Sequence, residues 1–145
     1  MIKLADIEHL QIVKASAADV YFALTTARGL SEVWTNELTV HEQVGAVNEF
    51  QFGTDDLTKM QIVELNPGER IEWLCIESDQ EWVGTSITFE LEEKKGKTHI
   101  TFRHMDWKEV TGFYRFCNYN WAMFLYSLKL YCEEGQGMPY QRRKF

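Results

Sequence analysis

The feature that most constrains the fold is a change in the spacing of apolar residues along the chain. From residue 37 to 105 apolar and polar residues alternate in six segments that are separated by turn-forming residues. These segments are ELTVHE, VNEFQF, TKMQIVEL, RIEWLCIE, VGTSITFELEE and THITFRHM. Strands of this kind, joined by short turns, pair antiparallel and present one apolar face. The region therefore predicts a meander whose apolar face needs a cover.

The alternation also assigns side chains to the two faces of this sheet. The segment that begins at residue 83 places five side chains on the apolar face: Val83, Thr85, Ile87, Phe89 and Leu91. In the last strand Phe102 and His104 share the apolar face, whereas Arg103 points to the other. Apolar residues occupy both parities of TKMQIVEL, so the buried face of that strand stays open.

A strand and two short helices are predicted before the meander. The first strand is HLQIVKA, residues 9–15. Ser16 can cap the helix that follows, with Asp19 in a position typical of a capping box. Gly29 is predicted to break this helix, and LSEVW to form a second one.

The segment GFYRFCNYNWAMFLYSLKLYCEEGQG, residues 112–137, predicts a long amphipathic helix that ends at Gly135. Its uncharged stretch of about 13 residues is shorter than the roughly 20 that a membrane-spanning helix needs. The helix is the natural cover for the sheet. The apolar side chains that share one arc are Phe113, Tyr114, Cys117, Trp121, Phe124, Leu125, Leu128, Tyr131 and Cys132.

A second apolar stripe on the same helix has two interpretations. It consists of Phe116, Tyr119, Met123, Tyr126 and Leu130. If the sheet wraps both sides of the helix, the stripe belongs to the core. If not, it is an exposed patch and a candidate homodimer surface.

Length, charge and cysteine usage restrict the class of protein. A chain of 145 residues predicts a single domain over residues 1–145. A net charge of −7 argues against nucleic acid as a partner, and the basic cluster Arg142-Arg143-Lys144 is interpreted as a solvated tail. Three widely separated cysteines without a CxxC motif, and an N-terminus without a secretory signal, predict free thiols in a cytoplasmic protein.

Six motifs occur in a fixed order along nearly the whole chain. They are V-x-A-S-A-A-D-V-Y-x-A-L-T at 13–25, G-L-S-x-V-W-T at 29–35, V-E-L-N-P-x-x-R-I-x-W at 63–73, I-T-F-x-L at 87–91, I-T-F-x-H at 100–104 and W-x-x-x-L-x-x-L-K-x-Y-x-E-x-G at 121–135. This order resembles the helix-grip fold of the START-like SRPBCC superfamily, and within it the small bacterial homologues of the heat-shock protein 90 ATPase activator. Val33 stands where that family often has a tryptophan, and Gly68 where it often has a proline.

The resemblance implies an α+β helix-grip fold. A curved antiparallel sheet of six to seven strands would surround the long C-terminal helix, with two short helices after the first strand. It also implies an apolar cavity between sheet and helix; the alternative is an interior filled by the same side chains. The residues expected near the cavity are Trp34, Phe50, Phe52, Trp73, Phe89, Phe102, His104, Trp107, Tyr114 and Trp121.

His104 is the polar residue of most interest in this set. It could hydrogen-bond a ligand or act as an acid or base. Alternatively it is a buried histidine satisfied by a backbone carbonyl or by Tyr114. The histidines show no metal-ligand spacing and no serine lies in a nucleophile elbow, so we expect no metal, no cofactor and no catalytic motif.

Three functions are compatible with these observations. The preferred one is binding of a small apolar or aromatic molecule, whose identity the sequence does not specify, by a protein that is not an enzyme. The second is a cyclase or aromatase type of enzyme that uses His104. The third is a chaperone-associated interaction domain, which the family resemblance alone motivates.

Overall fold

The structure is a computed structural model that describes residues 4–144, so residues 1–3 and 145 of the predicted domain lie outside the described residues. Its strands and helices follow the predicted order of one strand, two short helices, six strands and one long helix. In chain order they are β1 Ala5–Val13, α1 Ala17–Thr25, α2 Ala27–Val33, β2 Leu38–Thr39, β3 Val47–Phe52, β4 Asp56–Asn66, β5 Arg70–Glu77, β6 Ser86–Lys94, β7 Lys97–Trp107, α3 Gly112–Glu134 and a 3-10 turn Tyr140–Arg142.

The seven strands form one antiparallel sheet in the order β1-β7-β6-β5-β4-β3-β2. The first strand therefore pairs with the last, and α3 lies across the apolar face as the cover that the meander requires. The predicted α+β helix-grip fold is confirmed. Strand and helix side chains meet in a shared core, which includes Phe50, Trp73, Phe102, Phe124 and Leu128.

Helix termini are capped as their sequences predict. The Ser16 hydroxyl accepts a hydrogen bond from the Asp19 N–H over 3.1 Å at the start of α1. Gly135 ends α3 with a φ of 83°, a left-handed conformation that glycine adopts without steric cost. Its N–H bonds the carbonyl of Tyr131.

Gly29 does not break a helix, so that prediction was wrong. α1 ends at Thr25, and Thr26 caps α2 by accepting the Gly29 N–H over 3.0 Å. Gly29 lies inside α2, where a β-carbon would overlap the backbone of Ala23. The glycine is therefore needed for the close approach of the two helices rather than for a turn.

The buried face of β4 is decided by pairing with β5. Met60 and Ile62 are buried, whereas Val63 is 43% exposed. The β4–β5 register shifts between Ile62 and Glu64, which marks an irregularity that breaks strict alternation. This explains why apolar residues occupy both parities of the strand.

The strand predicted from residue 83 begins later than expected. β6 starts at Ser86, and Val83 lies exposed in the preceding turn instead of on the apolar face. Thr85 closes this turn with a backbone hydrogen bond to the carbonyl of Trp82 over 2.9 Å. The turn holds Trp82 against α3, which matters for the site described below.

The C-terminal segment after α3 is not a solvated tail. It folds back over the end of α2, where the Tyr140 N–H donates to the Trp34 carbonyl over 2.7 Å. Arg142 pairs with Glu32 at 3.2 Å, and Arg143 is half-buried. The basic cluster was misassigned because Glu32 and Val33, which Arg142 and Arg143 contact, lie 110 positions away in the sequence.

The second stripe of α3 is only partly covered. Phe116, Tyr119 and Tyr126 are 55%, 62% and 49% exposed, while Met123 and Leu130 are half-buried. The sheet therefore covers one side of the helix, and the stripe forms an apolar surface. Within residues 4–144 no helix combines the length and the apolar character needed to cross a bilayer.

Candidate functional site

The interior between sheet and α3 is built from aromatic rings in contact. Trp34 stacks on Trp73 with an interplanar angle of 9°, and Phe102 lies 4.6 Å from Trp121 between ring centroids. Seven of the ten side chains predicted to lie near a cavity are at most 2% exposed. They are Phe50, Trp73, Phe89, Phe102, His104, Trp107 and Trp121. In this conformation they pack on one another, so a ligand would reach them only if the rings moved apart.

His104 is a buried histidine with both ring nitrogens occupied. The indole N–H of Trp121 donates to its Nδ1 over 2.9 Å. Because an indole N–H is only a donor, Nδ1 must be the acceptor and the proton lies on Nε2, which contacts Thr85 Oγ1 at 2.7 Å. The Thr85 hydroxyl in turn donates to the Trp82 carbonyl over 2.5 Å.

The charge state of His104 agrees with this bonding. Burial lowers the pKa of His104 to about 3, so the ring is neutral at physiological pH. Its partners are Thr85 and Trp121, not Tyr114 or a backbone carbonyl as expected from the sequence. The Tyr114 hydroxyl instead donates to the carbonyl of Asp6 over 2.6 Å.

An open cleft of about 540 Å³ lies beside this aromatic core. Its walls are the first turns of α3, the β3–β4 hairpin, the turn between β5 and β6, and the C-terminal segment. Two of the predicted residues, Trp34 and Phe52, line it. The six aromatic rings at its surface are Trp34, Phe52, Trp82, Phe113, Phe116 and Tyr140.

Trp82 joins the cleft to the core. Its ring stacks on Trp121 at 5.6 Å and meets His104 edge-on at 4.9 Å. Its indole N–H donates to the Cys117 sulfur over 3.3 Å. The turn is tied to the start of α3 by a hydrogen bond from Thr111 to Glu81. Trp82 is therefore held rigidly at the wall of the cleft.

The polar groups of the cleft differ in their exposure. Asp55, Asp56 and Asp79 are exposed at its rim, whereas Arg143 is half-buried among the rings. Burial lowers the pKa of Arg143 to about 10, which leaves the guanidinium charged at neutral pH.

Burial also raises the pKa of the Cys117 thiol to about 12, so the thiol in the cleft is protonated and a poor nucleophile.

Sequence reasoning missed most of the cleft. Phe113 and Phe116 were assigned to the two stripes of α3 and not to a site. Trp82 had a usable signal, since a large aromatic residue stands among the turn-forming residues S-D-Q-E-W-V-G-T. No sequence signal marked Tyr140 or Arg143 as cleft residues, because only folding brings the C-terminus to the end of α2.

Comparison with known proteins assigns the family. The family model described as "Activator of Hsp90 ATPase homolog 1-like protein" matches residues 14–133. The solution structure of the Aha1 dimer from Colwellia psychrerythraea is 36% identical with a TM-score of 0.84, over 92% of this chain and 99% of that one. Comparison with curated proteins gives no match.

More distant structures share the architecture. DynU16, from the dynemicin biosynthetic locus, is 20% identical with a TM-score of 0.74, over 91% of this chain and 48% of that one. CalU16 from Micromonospora echinospora is 15% identical with a TM-score of 0.74, over 90% of this chain and 67% of that one. At these identities the likeness supports the fold alone. The family match and the Colwellia structure together confirm the resemblance in the sequence motifs: the chain belongs to the Activator of Hsp90 ATPase homolog 1-like protein family.

Proposed function

We propose that the protein binds a small, mainly aromatic or apolar molecule in the cleft beside α3. The observation that supports this most directly is the convergence of six aromatic rings, from distant parts of the chain, on an open space of about 540 Å³. Small-molecule sites typically measure roughly 300–1,000 Å³ and combine apolar walls with a few polar groups. Trp34 and Phe52, expected from the sequence as ligand contacts, line this cleft, which supports the proposal.

The chemistry of the cleft favours binding over catalysis. A cyclase or aromatase would need a group that exchanges protons with its substrate. Both nitrogens of His104 are bonded within the core, and its low pKa keeps the ring from accepting a further proton. Cys117 is protonated at neutral pH. Binding without chemical conversion is thus the simpler function for these side chains.

Titration with an uncharged fluorescent probe, N-phenyl-1-naphthylamine, tests ligand binding. We expect saturable binding to the wild-type protein. Phe113→Ala removes a ring of the cleft and should weaken binding about tenfold, equivalent to roughly 1.4 kcal/mol. Phe22→Ala, an exposed phenylalanine on α1, is the matched control and should leave the affinity unchanged. Absence of saturable binding, or equal loss in both variants, contradicts the proposal.

The second stripe of α3 supports a further proposal, self-association. Phe116, Tyr119 and Tyr126 form an exposed apolar surface on α3. The Colwellia relative at 36% identity is described as a dimer. We propose that two copies of this chain associate through the stripe, and the Discussion gives the test.

The family description favours one other function, interaction with a heat-shock protein 90 chaperone. Its test is the ATPase rate of the bacterial chaperone homologue with and without the purified protein. An increase supports the interaction, and an unchanged rate at saturating protein counts against it.

We also propose a cytoplasmic location, since Cys75, Cys117 and Cys132 are free thiols, which suits a reducing compartment.

A further inference from the structure

Arg143 brings a cation with unused hydrogen-bond donors to the wall of the cleft. Its Nε–H donates to the Met138 carbonyl over 2.7 Å, and an Nη2–H donates to the Val33 carbonyl over 2.9 Å. A guanidinium has five N–H groups. Among the residues that the structure describes, the other three have no acceptor.

Among the described residues, Arg143 also has no carboxylate within ion-pairing distance. Arg70, Arg103 and Arg142 each pair with a glutamate on the protein surface. Within residues 4–144 Arg143 forms no such pair, and it lies half-buried beside aromatic rings. A partly desolvated guanidinium gains most from an anion that accepts its remaining N–H groups, because such charge-assisted bonds are the strong ones.

We propose that Arg143 binds the carboxylate of a ligand whose aromatic or apolar body lies against the rings of the cleft. This inference rests on the proposed ligand-binding function and names the chemical class of the ligand. The planar guanidinium matches a carboxylate in a two-point contact. Tyr140 and Trp34, which line the cleft beside it, supply flat apolar surface next to the charged group.

The acidic rim selects against more highly charged anions. Asp55, Asp56 and Asp79 line the same cleft, and their negative charges are exposed to solvent. Repulsion from three carboxylates is partly screened at physiological salt but grows with the charge of the ligand. A singly charged carboxylate therefore fits this arrangement better than a doubly charged phosphate ester.

The test compares three probes that share one ring system. They are 1-naphthaleneacetate, the neutral 1-naphthaleneethanol and 1-naphthyl phosphate, each titrated calorimetrically at pH 7. For the wild-type protein we expect the carboxylate to bind about tenfold or more tightly than the alcohol and the phosphate. Arg143→Gln should abolish this preference, so that the carboxylate and the alcohol bind the variant with similar affinity. Arg142→Gln, which removes an arginine paired outside the cleft, should keep the preference.

The outcomes separate the two proposals. If no probe binds the wild-type protein, the ligand-binding function itself is wrong. If the alcohol or the phosphate binds as well as the carboxylate, or if Arg143→Gln keeps the preference, only the role of Arg143 is overturned. Because Arg143 also holds the C-terminal segment, a second readout uses the intact protein: the NMR signals of the Arg143 Nη–H groups, which include the three unused donors, should shift with the carboxylate and not with the alcohol. An unchanged signal overturns the inference.

Discussion

The indole N–H of Trp121 on α3 donates a hydrogen bond to Nδ1 of His104 on β7 over 2.9 Å. This bond determines which nitrogen of the imidazole bears the proton, and the second nitrogen continues the chain of bonds to Thr85 and the carbonyl of Trp82. A single histidine thus links the long helix, the last strand and the turn that forms one wall of the cleft. Through these bonds and an edge-on ring contact at 4.9 Å, His104 packs against the turn that carries Trp82.

The buried histidine should make stability depend on pH. The pKa of His104 is about 3 in the folded protein against 6.5 as its ordinary value, because burial disfavours the charged ring. Below pH 6.5 the unfolded chain binds a proton that the folded chain does not. The free energy of unfolding should therefore fall as the pH drops from 6.5 towards 3, by at most about 1.4 kcal/mol per pH unit from this group.

Urea unfolding at a series of pH values, on the wild-type protein and on His104→Gln, checks this prediction. The variant should be less stable at pH 7 and should lose less stability on acidification, since the titrating group is gone. Other groups titrate in both proteins and cancel in the comparison. Parallel pH profiles for the two proteins would show that His104 is not the cause.

Thr85→Val should break the chain of hydrogen bonds without changing the side-chain shape much. The His104 Nε2–H would lose its acceptor, at a cost of about 1–3 kcal/mol for a buried unsatisfied group, whereas the Trp82 carbonyl would keep its bond from the Thr85 backbone N–H. Because the turn that holds Trp82 loosens, probe affinity should fall as well. Thr101→Val, on the outer face of β7, is the control and should have little effect on either. Equal losses in both variants refute the proposed link.

Two glycine-to-alanine changes should have opposite effects. Gly29→Ala places a β-carbon against the backbone of Ala23 and should destabilise the protein by about 1–3 kcal/mol, as overpacking typically does. Gly112→Ala, in the first turn of α3, meets nothing within 4 Å and should be neutral or stabilise by up to about 1 kcal/mol. Thermal unfolding of both variants tests this prediction. If Gly29→Ala leaves the stability unchanged, the close approach of α1 and α2 is disproved.

Charge placed on the second stripe should disrupt self-association. We expect wild-type protein to sediment as a dimer and Tyr119→Glu/Tyr126→Glu as a folded monomer, because two carboxylates would have to be desolvated at the contact. Leu10→Glu, at an exposed position on the outer face of β1, should remain dimeric. A wild-type protein that is monomeric at all concentrations, or a double variant that still dimerises, rules out the stripe as the interface.

The three thiols should be unreactive in the folded protein. Burial raises the pKa of Cys75 to about 11 and of Cys117 and Cys132 to about 12. Since the thiolate is the reactive form, labelling with Ellman's reagent at pH 8 should be slow. In denaturant all three thiols should react quickly. Fast labelling of the native protein would mean that the thiols are more accessible than their packing indicates.

Features that depend on local spacing were predictable from the sequence. The caps Ser16 and Gly135 were identified, because capping involves residues a few positions apart. The buried face of β4 was not predictable from the sequence, since the irregularity after Ile62 arises from pairing with β5. The prediction that Gly29 breaks a helix was wrong for a related reason. Ala23 comes close to Gly29 only when the two helices pack.

The sequence by itself determined which faces of β6, β7 and α3 enter the core. Burial of apolar side chains follows the period of each element, and that period is visible in the residues. Only the tertiary structure decided that the rings fill the space between sheet and helix, and that the open cleft lies to one side, between Trp34, Trp82 and Tyr140. The volume left between bulky side chains depends on how distant segments pack, which no local pattern encodes. The same packing places Arg143 at the wall of the cleft, whereas the sequence predicted a solvated tail.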